Sequence, residues 1–267
     1  MRPLLGTYVD VWARAPRAEA ALHAAFASLE QAQMYWSFHD AASELSLLNA
    51  NPQHRVKLAP TTLRLLRAAR AVMRASGGAF DCTVGGMLVE AGILPNHEGP
   101  AAIPRGIAED IEIGNDWALL RRPVRITLDG IAKGYAVDLA SRALRLSGAS
   151  AGWVNAGGDL RVFGDVALPV QRRELDGQLT SLGALRNAAL ASSRIARRQH
   201  PDEESFPGHI VSATGCVREQ GVWSVLARSA WRADALTKVA ANVPSAERAQ
   251  WVRQLGGCLL APSGALT

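Results

Sequence analysis

The sequence predicts an α+β fold in which mainly antiparallel sheets are flanked by helices. Apolar stripes recur at helical spacing in several stretches, and shorter runs rich in Val, Ile, Leu and Trp lie between turn residues. The two kinds of segment alternate without the regular strand–helix–strand rhythm that builds a parallel sheet.

Taken in order, residues 4–13 carry Tyr8, Val9, Val11 and Trp12 and read as a strand. Residues 17–35 place Leu22, Phe26 and Leu29 at helical spacing. A second helix starts at Pro60-Thr61-Thr62, buries Leu63, Leu65, Leu66, Ala69 and Val72, and stops at Gly77. Residues 94–116, rich in Pro, Gly, Asn and Asp, read as a surface loop with one short strand. Residues 117–120 and 124–128 flank Arg121-Arg122-Pro123 and predict a hairpin, followed by a helix over 132–146 that ends near Gly148. Strands are predicted at 152–155, 160–163, 178–193, 208–212 and 221–228, then helices at 231–242 and 245–255 and a final strand at 257–261. At 267 residues nothing forces a division, so a single domain over residues 1–267 is the simpler reading.

Composition removes several function classes. Hydrophobic residues make up 48% and no run approaches a membrane-spanning length, so no membrane insertion is expected. A net charge of +5 could suggest nucleic acid, but the excess is scattered arginine, with lysine only at Lys57, Lys133 and Lys238. No basic stripe forms, and nucleic acid is not expected as a partner. Cys82, Cys216 and Cys258 are far apart with no C-x-x-C pair, and read as free thiols. No charged start, apolar core and small-residue cleavage site open the chain, so a cytoplasmic location is the default, periplasmic if a leader was trimmed.

The most informative stretch is Thr127-Leu128-Asp129-Gly130-Ile131-Ala132-Lys133-Gly134-Tyr135-Ala136-Val137-Asp138. It leads through an acid and a glycine into a helix that opens on a lysine, which is a place to hold a phosphate. Gly130 and Gly134 let backbone come close, the helix start offers N–H groups and a positive dipole end, and Lys133 adds a full charge. The spacing matches neither the P-loop nor the dinucleotide fingerprint.

Other segments surround this one in a fixed order. They are Leu4-Leu5-Gly6-Thr7, Trp36-Ser37-Phe38-His39 running into Ser43-Glu44-Leu45-Ser46-Leu47-Leu48-Asn49, and Gly77-Gly78-Ala79-Phe80-Asp81-Cys82-Thr83-Val84-Gly85. Beyond the lysine come Val154-Asn155-Ala156-Gly157-Gly158-Asp159, His209-Ile210-Val211 with Thr214-Gly215, and Ala233-Asp234-Ala235-Leu236-Thr237-Lys238. In this order and over nearly the whole chain, the sequence resembles the FAD:protein FMN transferases, the ApbE-like proteins.

The resemblance implies an ApbE-like fold and a transferase that moves FMN from FAD to a Thr or Ser of a client flavoprotein, releasing AMP. It implies that Leu5, His39, Ala79, Phe80, Asp81, Asp129, Lys133, Asp138, Gly157, Gly158 and Ile210 line the nucleotide site. Leu5 stands where the family usually has methionine and His39 where it often has tyrosine. Several of these segments also have an ordinary reading: residues 77–85 as a helix stop and buried strand, Leu5 as core, His39 as a surface residue, Asn155-Ala156-Gly157-Gly158-Asp159 as a turn, and Ser43 and Glu44 as a cap and first-turn acid. Catalytic roles fall to Lys133, to Asp234 and to His209, whose neutral imidazole suits proton removal from a hydroxyl near pH 7.

The same resemblance implies Mg²⁺ held by an aspartate and a threonine four residues apart, together with a carbonyl near Ala132. This chain supplies Asp234 but carries Lys238 at the threonine position, with Thr237 one place early and about 100° around the helix. Asp234 and Lys238 read either as an i,i+4 helix pair or as an ammonium standing where the metal would be. A non-catalytic FAD-binding protein and an FAD pyrophosphatase therefore remain beside the transferase.

Overall fold

The computed structural model describes residues 1–97, 99–195 and 220–260. In chain order they form β1 (Arg2–Leu4), β2 (Thr7–Arg14), α1 (Ala18–Trp36), α2 (Glu44–Ala50), β3 (Val56–Lys57), α3 (Pro60–Ala75), α4 (Gly85–Glu90), β4 (Ile111–Ile113), β5 (Trp117–Leu120) and α5 (Ala132–Leu146). There follow β6 (Ala151–Ala156), β7 (Asp159–Phe163), β8 (Leu168–Arg173), β9 (Leu179–Leu185), β10 (Ala189–Ile195), β11 (Gly221–Ala227), α6 (Ala230–Asn242), α7 (Arg248–Gln254) and β12 (Gly257–Leu260). Among the described residues a seven-stranded sheet runs β1-β2-β6-β7-β10-β11-β12, every neighbouring pair antiparallel. The expected fold class is what the chain adopts. No helix among the described residues is long and apolar enough to cross a membrane.

The two faces of this sheet follow from the period of two along a strand. Val154 and Ala156 of β6, Phe163 of β7, and Ala189 and Ala191 of β10 face the main core with α1, α5 and α6. Leu160 and Val162 of β7 and Leu190 of β10 point the other way and pack under the β8–β9 hairpin with Leu185. Asp159 alternates with Leu160, so it falls on the helix face and is almost fully buried there.

Three predicted elements differ from the structure, each for a local reason. The first strand is broken at Leu5 and Gly6, both with left-handed φ of 55° and 68°, so β1 and β2 form a hairpin. The stretch 178–193 is likewise a hairpin arm and a sheet strand, parted by Asn187 at φ 45°. Residues 124–128 are not the second arm of a hairpin: β5 pairs instead with β3 and β4. Their backbone groups are held by Asn49, which bonds both N–H and C=O of Ile126 at 2.7 and 2.8 Å, and by the 82–85 segment through Thr127 N to Cys82 O and Gly85 N to Arg125 O. The pair β8–β9 was not foreseen as two strands, and the predicted strand at 208–212 lies outside the described residues.

Helices α5 and α6 meet at Gly134, where an added Cβ would lie 2.4 Å from Ala230 O. Around this contact each helix caps the other. Asp138 of α5 accepts the amides of Ala230 and Trp231, both at 3.0 Å, and Asp234 of α6 accepts the amide of Gly134 at 3.1 Å. Neither helix has a capping side chain at its own N-cap position, Ile131 or Ser229. The first-turn N–H groups that a helix leaves orphaned are thus satisfied from the partner helix.

Asp138→Ala should cost about 1–2 kcal/mol, the usual worth of a lost N-cap, since two buried amides lose their acceptor. The check is urea unfolding, in which the midpoint should fall with an unchanged slope.

Candidate functional site

The start of α5 gathers the chemistry-bearing residues. Its first turn presents Lys133, whose ammonium lies 3.5 Å from Oδ2 of Asp159 at the head of β7. The lysine side chain keeps 37% of its surface exposed, whereas Asp159 keeps 5%, so the pair has a wet end and a dry end. Oδ2 of Asp159 makes no closer polar contact among the described residues.

One helix face lays a second set of groups against this pair. Asp234, Lys238 and Asn242 follow at i, i+4 and i+8 on α6 and point along one stripe. Asp234, with no exposed surface, receives Gly134 N on Oδ2 and the Lys238 ammonium on Oδ1. Lys238 Nζ also donates to Ser193 Oγ of β10 at 3.1 Å. Asn242 donates to Ala79 O at 2.9 Å, tying the glycine turn after α3 to the end of α6. Phe80 closes the group, since a Cβ on Gly130 would meet its ring at 3.1 Å and the Lys238 stem at 3.5 Å.

Charge and burial act on this cluster in opposite directions. Burial first, and the Asp234 charge second, push the Asp159 carboxyl up to about 6, with Lys133 and Lys238 offsetting only part of the rise. Lys133 holds its proton more firmly than an ordinary lysine, chiefly because of Asp159, with Asp234 and Asp129 adding to it. Asp138, a helix turn away, is pushed up by burial although two amides pull the other way.

The structure sorts the sequence candidates. Lys133, Asp234, Ala132, Gly130, Phe80 and Asp129 come together around the start of α5. Asp81 does not present a free carboxylate: it accepts from Thr83 N and Oγ1 at 2.7 and 2.6 Å and from Arg105 at 2.5 Å, and so organises its own turn. Asp138 is spent on the cap of α6. Ser43 is the N-cap of α2, bonded by Ser46 N at 3.0 Å, and Glu44 holds Ala59 N at 2.8 Å and the Thr62 hydroxyl at the start of α3. Leu5 sits in the β1–β2 turn with its N–H on Gln33, and His39 is exposed. Gly157 and Gly158 turn β6 into β7 with φ of 60° and 103°, and a Cβ on Gly157 would strike Thr7 Oγ1 at 2.5 Å. His209 and Ile210 lie outside the described residues.

Sequence reasoning gave Asp159 only a minor part and did not find Ser193. A lone Asp after two glycines reads as turn chemistry, and a serine in a strand carries no signal until the helix stripe opposite it is known.

The donors expected for a divalent ion are already engaged. Both oxygens of Asp234 are bonded, and the Thr237 hydroxyl donates to Asp234 O at 2.7 Å and lies 2.6 Å from Ser193 Oγ. No group of three or more His, Cys, Asp or Glu side chains among the described residues could hold a metal. The residues as arranged do not fit Mg²⁺.

On the opposite face of the sheet, a cavity of about 470 Å³ lies under the β8–β9 hairpin. Trp153, Leu160, Leu190 and Val222 line it, with Arg173 and Arg194. Gly157 and Gly158 of the turn between β6 and β7 also line it.

The family model described as the ApbE family matches residues 5–260. No curated protein matches. Among solved structures, the ApbE protein of Thermotoga maritima is 24% identical with a TM-score of 0.82, over 98% of this chain and 93% of that one. The flavin transferase ApbE of Vibrio cholerae is 21% identical with a TM-score of 0.78, over 98% and 96%. The flavinyl transferase ApbE of Pseudomonas stutzeri, in its apo form, is 19% identical with a TM-score of 0.79, over 99% and 93%.

The raised carboxyl of Asp159 has a thermodynamic signature. Its folded-state value near 6 exceeds the unfolded value near 3.9, so the native state binds a proton that the unfolded chain releases. Stability should therefore rise as pH falls through 6, by about 1 kcal/mol between pH 7.5 and 5.5, with the full gain of about 3 kcal/mol reached only below the unfolded value. Asp159→Asn should flatten that rise in thermal unfolding between pH 7.5 and 5.5; an unchanged slope would assign the effect to other groups.

Proposed function

The chain belongs to the ApbE family, and from that premise we propose that it is a flavin transferase. Its substrate is FAD, and its acceptor is a threonine or serine of a client flavoprotein. The acceptor hydroxyl attacks the FMN-side phosphorus, the bond to the bridging oxygen breaks, and AMP leaves with that oxygen.

The observation that carries this reading is the partly exposed side chain of Lys133 at the start of α5, its ammonium backed by the buried Asp159. A cation fixed at a helix N-terminus, with its dipole aligned, is suited to a diphosphate. Asp159 first, with Asp234 and Asp129 after it, keeps Lys133 charged and raises its proton affinity. Phe80 packs against Gly130, next to the junction, so a ligand in contact with the backbone of Gly130 would also lie close to an aromatic wall. Asp81, Asp138, Gly157 and Gly158 support the walls of such a site, the first two by fixing turns and a helix start, the glycines by the positive φ values that turn β6 into β7, with Gly157 held close to Thr7.

His209 is the general base in this proposal, taking the proton of the attacking hydroxyl. The chemical step draws on in-line positioning and on charge neutralisation by Lys133, with no metal ion assigned a part. The acceptor remains a flavoprotein client, with no role for nucleic acid.

Two substitutions separate the roles. Lys133→Met should weaken FAD binding by about tenfold or more, since a charge-assisted contact to phosphate is lost. His209→Ala should cut transfer by about 10²–10⁴ while leaving FAD affinity within about tenfold. Flavin fluorescence titration reads affinity; AMP release and FMN mass gain on an acceptor flavoprotein read transfer. FMN appearing free with AMP would make the protein a hydrolase, and binding without AMP a flavin carrier. No FAD binding at high micromolar concentration would remove the proposal.

A further inference from the structure

The cation beside Asp234 is part of the polypeptide. We infer that the Lys238 ammonium is a built-in replacement for a divalent ion, so that this chain binds the diphosphate of its nucleotide without metal. The inference rests on the nucleotide reading above for the identity of the ligand, and on geometry alone for the cation.

Three features fix the ammonium in place. Its nitrogen bonds Oδ1 of Asp234, four residues earlier on α6, and Ser193 Oγ at 3.1 Å across on β10. Its stem runs beside Gly130, where a Cβ would lie 3.5 and 3.6 Å from Cγ and Cε, and only 17% of the side chain is exposed. The remaining oxygen of Asp234 is bound by Gly134 N, and Thr237 turns its hydroxyl to Ser193 and to a carbonyl of its own helix. A metal entering here would have to displace the ammonium from Oδ1 of Asp234 or break the cap that Oδ2 provides to α5. A tethered ammonium needs no entry and cannot be chelated.

The position also puts the charge to use. The Lys238 stem lies along Gly130, just before α5, while Lys133 lies in the first turn of α5, so both lysines sit at the start of that helix. Two single charges at a helix N-terminus give a diphosphate one unit of positive charge less than one lysine and one divalent ion would, and hydrogen-bond donors in place of open coordination positions.

The test uses the whole protein and two titrations. First, Mn²⁺ is titrated into the nucleotide-free protein by calorimetry, with Mg²⁺ as competitor. The wild type should bind no Mn²⁺ that Asp234→Asn removes, while Lys238→Thr should gain such a site. Second, FAD affinity is measured in EDTA and in excess Mg²⁺; the wild-type values should agree within about twofold, and Lys238→Thr should become Mg²⁺-responsive. Wild-type Mn²⁺ binding abolished by Asp234→Asn, or FAD affinity lifted about tenfold or more by Mg²⁺, would overturn the inference. Should Lys238→Thr not fold, both wild-type titrations still decide it. A protein that binds no FAD in either buffer fails the proposed function, and the Mn²⁺ titration then judges the built-in cation by itself.

Discussion

The structure depends on the crossed capping of α5 and α6. A helix start buried in a core leaves donors that must be paired, and here both starts are paired by carboxylates that belong to the other helix. The close approach at Gly134 makes the exchange possible, since no side chain intervenes between α5 and the first turn of α6. One consequence is positional: whatever fixes α6 fixes the start of α5, and with it Lys133. Another is that Asp234 cannot be treated as a ligand residue alone, because the cap on Gly134 is part of its environment.

Bringing four alternating charges together with the two carboxylates buried is expensive unless each finds partners. Asp234 has an amide and an ammonium, and Lys238 has a carboxylate and a hydroxyl, so that half of the cluster is paired and hydrogen-bonded. Asp159 is less well served, with Lys133 at 3.5 Å and no closer donor among the described residues. Its raised proton affinity follows from its burial and from the nearby Asp234 charge, which Lys133 and Lys238 offset only in part. The cluster is therefore uneven: rigid toward α6, and held by a single longer contact toward the solvent side, where Lys133 is exposed.

Much of the fold was legible because its signals are local. The stripe of α3, its proline start and glycine stop, and the bounds of α5 and α6 each lie within a few turns of chain. The lysine junction was legible for the same reason. What failed to show were pairings set by distant partners. The 124–128 segment looks like a strand by composition, yet Asn49 and the 82–85 segment claim its backbone groups. The capping role of Asp138 depends on residues more than ninety positions away. The bonds by which Thr83 and Arg105 engage the two oxygens of Asp81 leave no trace in the sequence either. The positive φ at Leu5 and Asn187, which breaks two predicted strands, occurs at residues other than glycine and so leaves little trace in sequence.

The stripe Asp234, Lys238 and Asn242 shows how one helix face can unite separate motifs. Through it α6 reaches the α5 start, β10 and the turn at Ala79, three places remote from one another in the chain. A lysine four residues after an aspartate would, on an exposed helix, contribute only a few tenths of a kcal/mol. Here Asp234 is wholly buried and already bonded by Gly134, so removing the ammonium alone would leave a carboxylate charge in the core with one amide to hold it, a loss of several kcal/mol by the usual cost of breaking a buried pair. The same two residues thus carry a structural weight that their spacing does not reveal. For a site of this construction, exchanging lysine for a metal ligand is a change of the core as well as of the chemistry.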